Sequence, residues 1–113
     1  DDAADIVEAL APGSTTVIPA FEGADDYYLF YSAENIDYNG YGEIDVYADE
    51  DALEVYVASF EGWSELNVDN IYKTFLSPNE DIVVCIYTGY YDDYDCYAIM
   101  IGLPGFYDNL YLY

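Results

Sequence analysis

The sequence predicts a mainly β fold, an antiparallel sheet or β-sandwich of six to seven strands with two short helices near residues 2–11 and 67–76. Short runs of β-branched and aromatic residues recur along the chain, with Gly, Pro, Asn or Asp between them. Only two segments repeat apolar residues at helical spacing. Strands and helices do not alternate, so a parallel doubly wound sheet is not expected. The length of 113 residues suits a single domain, residues 1–113.

The two helices are predicted from their apolar spacing. In DAADIVEALA, residues 2–11, the side chains of Ile6, Val7 and Leu10 would share one face, and acidic residues occupy the first turn, where the helix dipole favours them. NVDNIYKTFL, residues 67–76, repeats apolar residues at the same spacing and is followed by Ser-Pro-Asn. Each segment therefore predicts a short helix with one buried face.

Three strands are predicted from single segments. Residues 14–21 would lie at a sheet edge, because Pro19 cannot donate a ladder hydrogen bond. Residues 27–33 are aromatic on both faces, which favours a central strand or a face covered by another molecule. Residues 105–113 alternate in a two-residue pattern and predict a closing strand.

Two hairpins complete the predicted sheet. Residues 43–48 and 53–60 would pair around the loop 49–52, because that register places their alternating apolar residues on one face. Residues 81–91 and 96–103 would form the second hairpin. In both hairpins the prediction depends on separating an apolar face from a polar or aromatic one.

The two cysteines give the second hairpin two alternative registers. A register with Ile86 opposite Ile101 gives a continuous apolar face and separates the thiols of Cys85 and Cys96 by roughly 20 Å, too far for a disulfide. A slipped register brings Cys85 opposite Cys96, but it sets Ile86 opposite Asp95. Packing favours the first register and an oxidising compartment favours the second.

The charge of the chain restricts its partners. Asp and Glu number 24, Lys73 is the single basic residue, and the formal net charge is −23. Direct nucleic-acid binding is not expected, because phosphate backbones need Lys and Arg. Anionic membrane surfaces are disfavoured for the same reason, and no apolar run reaches the roughly 20 residues of a membrane span.

The residue types also argue against catalysis. The chain has no His and no Arg, so Ser-His and Cys-His nucleophile pairs are impossible. A pair of carboxylates remains conceivable, but with so many acidic residues suitable pairs arise by chance. We therefore expect no enzyme activity and no cofactor.

Calcium is the one ion that the composition suggests. DYNGYGEID, residues 37–45, matches offsets 1, 3 and 9 of an EF-hand-like loop, but offset 12 is Ala48 instead of a bidentate Glu. We expect weak, non-specific binding of Ca²⁺ and other divalent cations by the acidic surface. The weak calcium candidates are Asp37, Asn39, Asp45, Asp92, Asp93 and Asp95.

The sequence predicts an exported structural subunit, extracellular or on the cell surface, that assembles with itself as a filament, a pilus-like fibre or a surface layer. The chain begins with Asp1 instead of Met, both ends carry aromatic segments, and catalytic groups are missing. A terminal strand could complete a neighbour's sheet. The candidate interface residues are Val17, Ile18, Phe21, Phe106, Tyr107, Leu110, Tyr111, Leu112 and Tyr113.

Other hypotheses stay open at this point. One is an acidic mimic of nucleic acid that inhibits a basic DNA- or RNA-binding protein, which the charge supports. Others are a secreted domain adapted to high salt and a carbohydrate-binding domain with tyrosine platforms.

Overall fold

The chain folds around one six-stranded antiparallel sheet, and the computed structural model describes residues 1–88 and 95–110. The strand order is β1-β2-β6-β5-β4-β3, and each pair of neighbours is antiparallel. The prediction of a mainly β antiparallel fold is therefore confirmed. The strands are β1 Asp26–Tyr31, β2 Tyr41–Tyr47, β3 Ser64–Leu66, β4 Lys73–Leu76, β5 Val83–Tyr87 and β6 Cys96–Gly102.

Short helices connect and cover the strands. The predicted N-terminal helix is confirmed. The Asp1 side chain caps this helix by accepting a 2.7 Å hydrogen bond from the backbone N–H of Ala4. None of the described helices has the length and apolarity needed to cross a membrane. The α-helices are α1 Asp2–Leu10, α2 Ile36–Asn39 and α3 Glu50–Ala58, with 3₁₀ helices at Ala33–Asn35 and Phe106–Asn109.

The predicted hairpin of residues 43–48 and 53–60 is wrong in its second half, where α3 replaces the strand. The Asp49 side chain caps α3 by accepting a 2.8 Å hydrogen bond from the Ala52 N–H, and acidic residues fill the first turn. Leu53 and Tyr56, three residues apart, are its buried side chains. The first half is the strand β2, which pairs with β1 and β6 instead.

The helix predicted at 67–76 is also wrong, and the second half of that segment is β4. Asn70 adopts a left-handed backbone with φ of 69°, which a right-handed helix cannot contain. β4 pairs with β3 on one side and β5 on the other, so that Thr74 and Phe75 are buried. Pairing within the sheet outweighs the local helical spacing.

The two terminal strands were predicted wrongly as well. Residues 14–21 belong to none of the strands in the described part of the chain, and residues 106–109 form a 3₁₀ helix. The strand predicted at 27–33 is confirmed as β1, Asp26–Tyr31, but it is not a central strand: β1 lies at a sheet edge and pairs with β2 alone within the described part of the chain. Residues 89–94, which include most of the loop of the second predicted hairpin, and the last three residues, 111–113, lie outside the described residues.

The two faces of the sheet differ in what covers them. We call the face beneath α1 the helical face; there, Ile6 lies so close to Gly42 that a Cβ on this glycine would be 2.6 Å from its side chain. The opposite face, the second face, is partly covered by the C-terminal 3₁₀ helix. The main apolar core includes Ile6, Val7, Val46, Leu53, Tyr56, Phe60, Phe75, Val84, Ile86, Ile99 and Ile101.

The pairing of β5 with β6 differs from both predicted registers. Ile86 lies opposite Ile99, and Cys85 lies opposite Met100. The observed register is two residues away from the one that packing favoured, so the same residues still face the core. Because a two-residue slip preserves the side-chain faces, alternation alone could not distinguish the two.

Candidate functional site at the edge of the sheet

The edge strand β1 presents an exposed aromatic surface. Tyr27 and Tyr28 are each 61% exposed and Phe30 is 49% exposed. No charged residue occurs between Tyr27 and Tyr31, although the chain as a whole is strongly acidic. An edge strand offers unpaired N–H and C=O groups to another strand. β1 therefore combines an open backbone with apolar side chains.

A β-bulge in β1 changes the direction of one tyrosine. Leu29 lies opposite Ile44, but the next paired residue, Tyr31, lies opposite Glu43, and Phe30 is left without a partner in the ladder. In a regular strand Leu29 and Tyr31 would point to the same face, because side chains alternate. The extra residue turns Tyr31 onto the second face, where its ring contacts the ring of Tyr41 at 5.4 Å between centroids.

The second face carries a continuous row of rings that begins at this bulge. Neighbouring centroids are between 4.6 and 6.4 Å apart. The row holds the C-terminal 3₁₀ helix against the sheet, since Phe106 occupies the space that a side chain at Gly102 would need. We call it the aromatic row; its members are Tyr28, Phe30, Tyr31, Tyr41, Phe106 and Tyr107.

Two carboxyl groups are buried beside this edge. Glu43 and Asp45, two residues apart on β2, both point to the second face and are only 2% and 6% exposed. The Oε1 atom of Glu43 and the Oδ1 atom of Asp45 have no hydrogen-bond partner among the described residues. On β1, Tyr31 lies opposite Glu43 and Tyr28 lies opposite Asp45. Buried polar atoms without partners are rare, and each calls for a physical explanation.

The environment of the pair keeps Glu43 protonated. Burial, followed by the hydrogen bond and the negative charge of Asp45, raises the pKa of Glu43 to about 9. At neutral pH the Glu43 carboxyl therefore keeps its proton and donates a hydrogen bond to the Asp45 carboxylate. Lys73, the single basic side chain, lies three strands away on β4, roughly 14 Å by strand spacing, and cannot neutralise the pair.

The four calcium candidates that the structure describes are not assembled into one site. Asp37 on α2 and Asp95 before β6 are exposed, whereas Asp45 is buried on the second face, and Asn39 lies on α2. Across residues 1–88 and 95–110, no group of three or more acidic, Cys or His side chains could hold a metal ion. Two further candidates, Asp92 and Asp93, lie outside the described residues.

The predicted N-terminal interface residues pack mostly within the chain. Ile18 and Phe21 contact the main core, and the Phe21 ring stacks on Tyr56 at 4.5 Å. Val17, in contrast, is 80% exposed. Most of the apolar side chains of this segment therefore pack within the chain and are not available to another subunit.

The predicted C-terminal interface residues lie on the second face. Phe106, Tyr107 and Leu110 pack against the cluster around Met100 and Cys85. The remaining candidates, Tyr111, Leu112 and Tyr113, lie outside the described residues. Like the N-terminal segment, the described part of this segment packs against the sheet.

Asp81 fastens the N-terminal segment to the turn between β4 and β5. Its carboxylate accepts hydrogen bonds from the hydroxyls of Ser14 at 2.5 Å, Thr16 at 2.6 Å and Ser77 at 2.9 Å. Burial alone would raise the pKa of Asp81, but these hydroxyls and a backbone N–H outweigh it and lower the pKa. The ionised form of Asp81 therefore stabilises this end of the sheet.

The two cysteines are free and buried on the second face. Burial raises the pKa of Cys85 to about 12, although a hydrogen bond from Thr74 opposes the shift. Burial and the nearby charge of Asp45 also raise the pKa of Cys96. Because the thiolate is the reactive form, neither side chain is suited to forming a bond with another chain.

Two concave regions lie away from the second face. An apolar cavity of about 270 Å³ lies on the helical face between α1, residues 18–24, Tyr27 of β1 and the central strands. A groove of about 460 Å³ is lined by Glu50, Glu54, Asp95, Tyr72 and Tyr97 among others. Burial, then the carboxylates of Asp95 and Glu50, raise the pKa of Tyr97, so the groove is electrically negative.

Comparisons with protein-family models, with curated proteins and with solved structures found no match for this chain. The buried pair of Glu43 and Asp45 was missed at the level of sequence, because the polar side of β2 was interpreted as solvent-exposed. The missed signal lies in β5 and β6, whose residues are apolar at nearly every position and indicate a sheet that is covered on both faces.

Proposed function

We propose that this chain is a non-enzymatic interaction subunit that assembles with copies of itself through the β1 edge. The observation that carries this proposal is the exposure of Tyr27, Tyr28 and Phe30 on a strand whose outer side is unpaired among the described residues. Adding a strand to such an edge joins two sheets through main-chain hydrogen bonds, with side chains supplying specificity. The exported setting stays a prediction from the sequence.

A second copy is the partner that suits β1 best. Two β1 strands can pair antiparallel around a two-fold axis, so that the same patch is used by both subunits. In that arrangement the uncharged residues 27–31 meet each other, and the two Asp26 side chains lie at opposite ends of the contact. The exposed rings would be buried in the centre, where aromatic residues contribute most to binding.

The net charge of −23 opposes this contact and predicts how it is controlled. Repulsion between two such chains acts over roughly 10 Å at about 0.1 M salt and over much shorter distances at higher salt. Added salt, and divalent cations bound loosely by the acidic surface, should therefore favour assembly. We place the contact at β1 and not at the terminal segments, because the described parts of those segments pack on their own sheet.

The test is the oligomeric state of the purified chain, measured by analytical ultracentrifugation and electron microscopy at increasing NaCl and with Ca²⁺. We expect dimers or longer assemblies that increase with salt. Replacing Tyr28→Glu and Phe30→Glu together should weaken association at least about tenfold, since exposed aromatic anchors contribute roughly 1–2 kcal/mol each.

The control for added charge is Ser64→Glu, which adds a carboxylate at an exposed residue of the opposite edge strand, β3. This control should assemble like the wild type. A wild-type chain that stays monomeric at every salt concentration would end the proposal. If that monomer instead bound a basic nucleic-acid-binding protein tightly and in a salt-sensitive way, the acidic-mimic hypothesis would replace it.

A further inference from the structure

We infer that Glu43 and Asp45 together form a proton-binding site whose occupancy controls how firmly β1 is held to the sheet. Both side chains are more than nine-tenths buried, and each has one oxygen atom without a hydrogen-bond partner among the described residues. Two ionised carboxylates in such a place would repel each other in a poorly solvated environment. One proton shared between them removes this repulsion and leaves a hydrogen bond.

The position of the pair connects it to the edge. Tyr31 is opposite Glu43 and Tyr28 is opposite Asp45, so the two carboxyl groups lie beneath the stretch of β1 that contains the bulge. Phe30, inside the bulge, has no partner in the ladder and is half exposed. This is the least regular part of the pairing between β1 and β2. Repulsion beneath it is most easily relieved by separation of β1, because β2 is held on its other side by β6.

The other titratable groups on this face do not compensate a second negative charge. Asp26, at the start of β1, is itself acidic and exposed, and Cys85 lies two strands away on β5. Lys73 lies beyond β5, on β4. None of the titratable side chains on the neighbouring elements is basic. They include Tyr28 and Tyr31 of β1, Tyr41 and Tyr47 of β2, Cys96 of β6 and Tyr107 of the C-terminal 3₁₀ helix.

The direction of the pH effect follows from linkage. Glu43 binds its proton more tightly in the folded chain than in the unfolded chain, because burial raises its pKa. Its contribution to stability is therefore complete in acid and is lost as pH rises from the ordinary carboxyl range through the folded pKa. Alkaline pH should loosen β1 first, since that strand has only one neighbour among the described residues.

The site can be tested on the monomeric chain at low salt. The side-chain carboxyl carbon of Glu43 is followed by ¹³C NMR from about pH 5 to about pH 10, together with hydrogen-exchange protection of the β1 amides corrected for intrinsic rates. We expect Glu43 to titrate only in alkali. The β1 protection factors should fall as it ionises, by up to about tenfold per pH unit for one proton.

Two variants separate this site from general charge repulsion. Glu43→Gln keeps a neutral group of the same shape, so β1 protection should become nearly independent of pH. Glu34→Gln removes one exposed carboxylate from the 3₁₀ helix near β1, and it should behave like the wild type. If Glu43→Gln does not fold, the wild-type carbon titration still decides the question.

Three results would overturn the inference. Glu43 could titrate in the ordinary carboxyl range, or Glu43→Gln could keep the wild-type decline in protection. Alternatively, Glu43 could be ionised at neutral pH and shift on addition of Ca²⁺, which would make the pair a cation site. The effect on assembly rests on the proposed function, but the proton-binding site does not. If the chain is monomeric at every salt concentration, the effect on assembly is excluded but the proton-binding site is not.

Discussion

The two edges of the sheet are built in opposite ways. β1 is six residues long, carries exposed rings and has no charge between Tyr27 and Tyr31. β3 is three residues long, and its central residue, Glu65, is exposed and forms a 3.3 Å ion pair with Lys73 on the neighbouring strand. Short strands and charged side chains are the usual means of preventing unwanted strand pairing. One edge is therefore protected, whereas the outer side of the other is unpaired among the described residues.

The protected edge also lies beside a stack of buried rings and a cluster of side-chain hydrogen bonds. The Phe60 ring stacks on Phe75 at 4.4 Å, and Asp81 fastens the N-terminal segment to the nearby turn with three hydroxyl hydrogen bonds. At β1 the ladder contains a bulge and lies beside the buried carboxyl pair. Regions that bind partners are commonly drawn from the less stable part of a fold. We therefore expect the two edges to differ in local stability.

The largest expected difference between the β4 side and the β1 side is in how much the free energy of unfolding falls when a phenylalanine is replaced. Phe75→Ala should destabilise the chain by about 3–5 kcal/mol, because it leaves a cavity in the core against Phe60. Phe30→Ala, at the half-exposed bulge, should lower the free energy of unfolding by less than about 1 kcal/mol. Urea unfolding followed by fluorescence measures both values. Similar losses for the two variants would contradict the assignment of stability to the β4 side.

A smaller effect is expected at Asp81. Asp81→Asn should lower the free energy of unfolding by about 1–2 kcal/mol at neutral pH, since hydrogen bonds to a charged group are strong but partial exposure lets water compete. The pKa of Asp81 is lowered in the folded chain, so its contribution is present above the ordinary Asp range and is lost as pH falls through the folded value. The variant should therefore differ most from wild type at neutral pH and least in strong acid. A constant difference across pH would show that hydrogen-bond geometry, and not ionisation, stabilises this turn.

Local patterns predicted the parts of the fold in which local and tertiary preferences agree. α1 has an acidic cap and one apolar face, and β2, β5 and β6 are rich in residues that favour strands. The wrong predictions arose where the apolar residues of a segment fit both the two-residue period of a strand and the helical period. Leu53, Val55 and Val57 alternate like a strand, yet a side-chain cap at Asp49 and burial of Tyr56 favour the helix. The pattern of one segment contains no information about which strands become its neighbours.

The candidate site was predicted less well than the fold. The aromatic character of residues 27–33 suggested a face covered by another molecule, but it did not show that the strand lies at an edge. Glu43 and Asp45 have the ordinary polar positions of a half-exposed strand. They are buried because β2 lies between β1 and β6, while the aromatic row and the C-terminal helix cover part of that face. These are long-range arrangements, which residue spacing along one strand does not encode.

The smallest expected effect concerns the ion pair that protects β3. Lys73→Gln should change the free energy of unfolding by less than about 1 kcal/mol, because both partners are partly exposed to water. The difference from wild type should diminish in high salt. Lys73→Arg should unfold like the wild type, because it keeps a positive charge near Glu65. Urea unfolding at low and high NaCl measures this. A loss of several kcal/mol that salt does not reduce would mean that Lys73 helps to hold the β4 side of the sheet together. A small, salt-sensitive loss would leave the core stack and the Asp81 hydrogen bonds as the source of that side's stability.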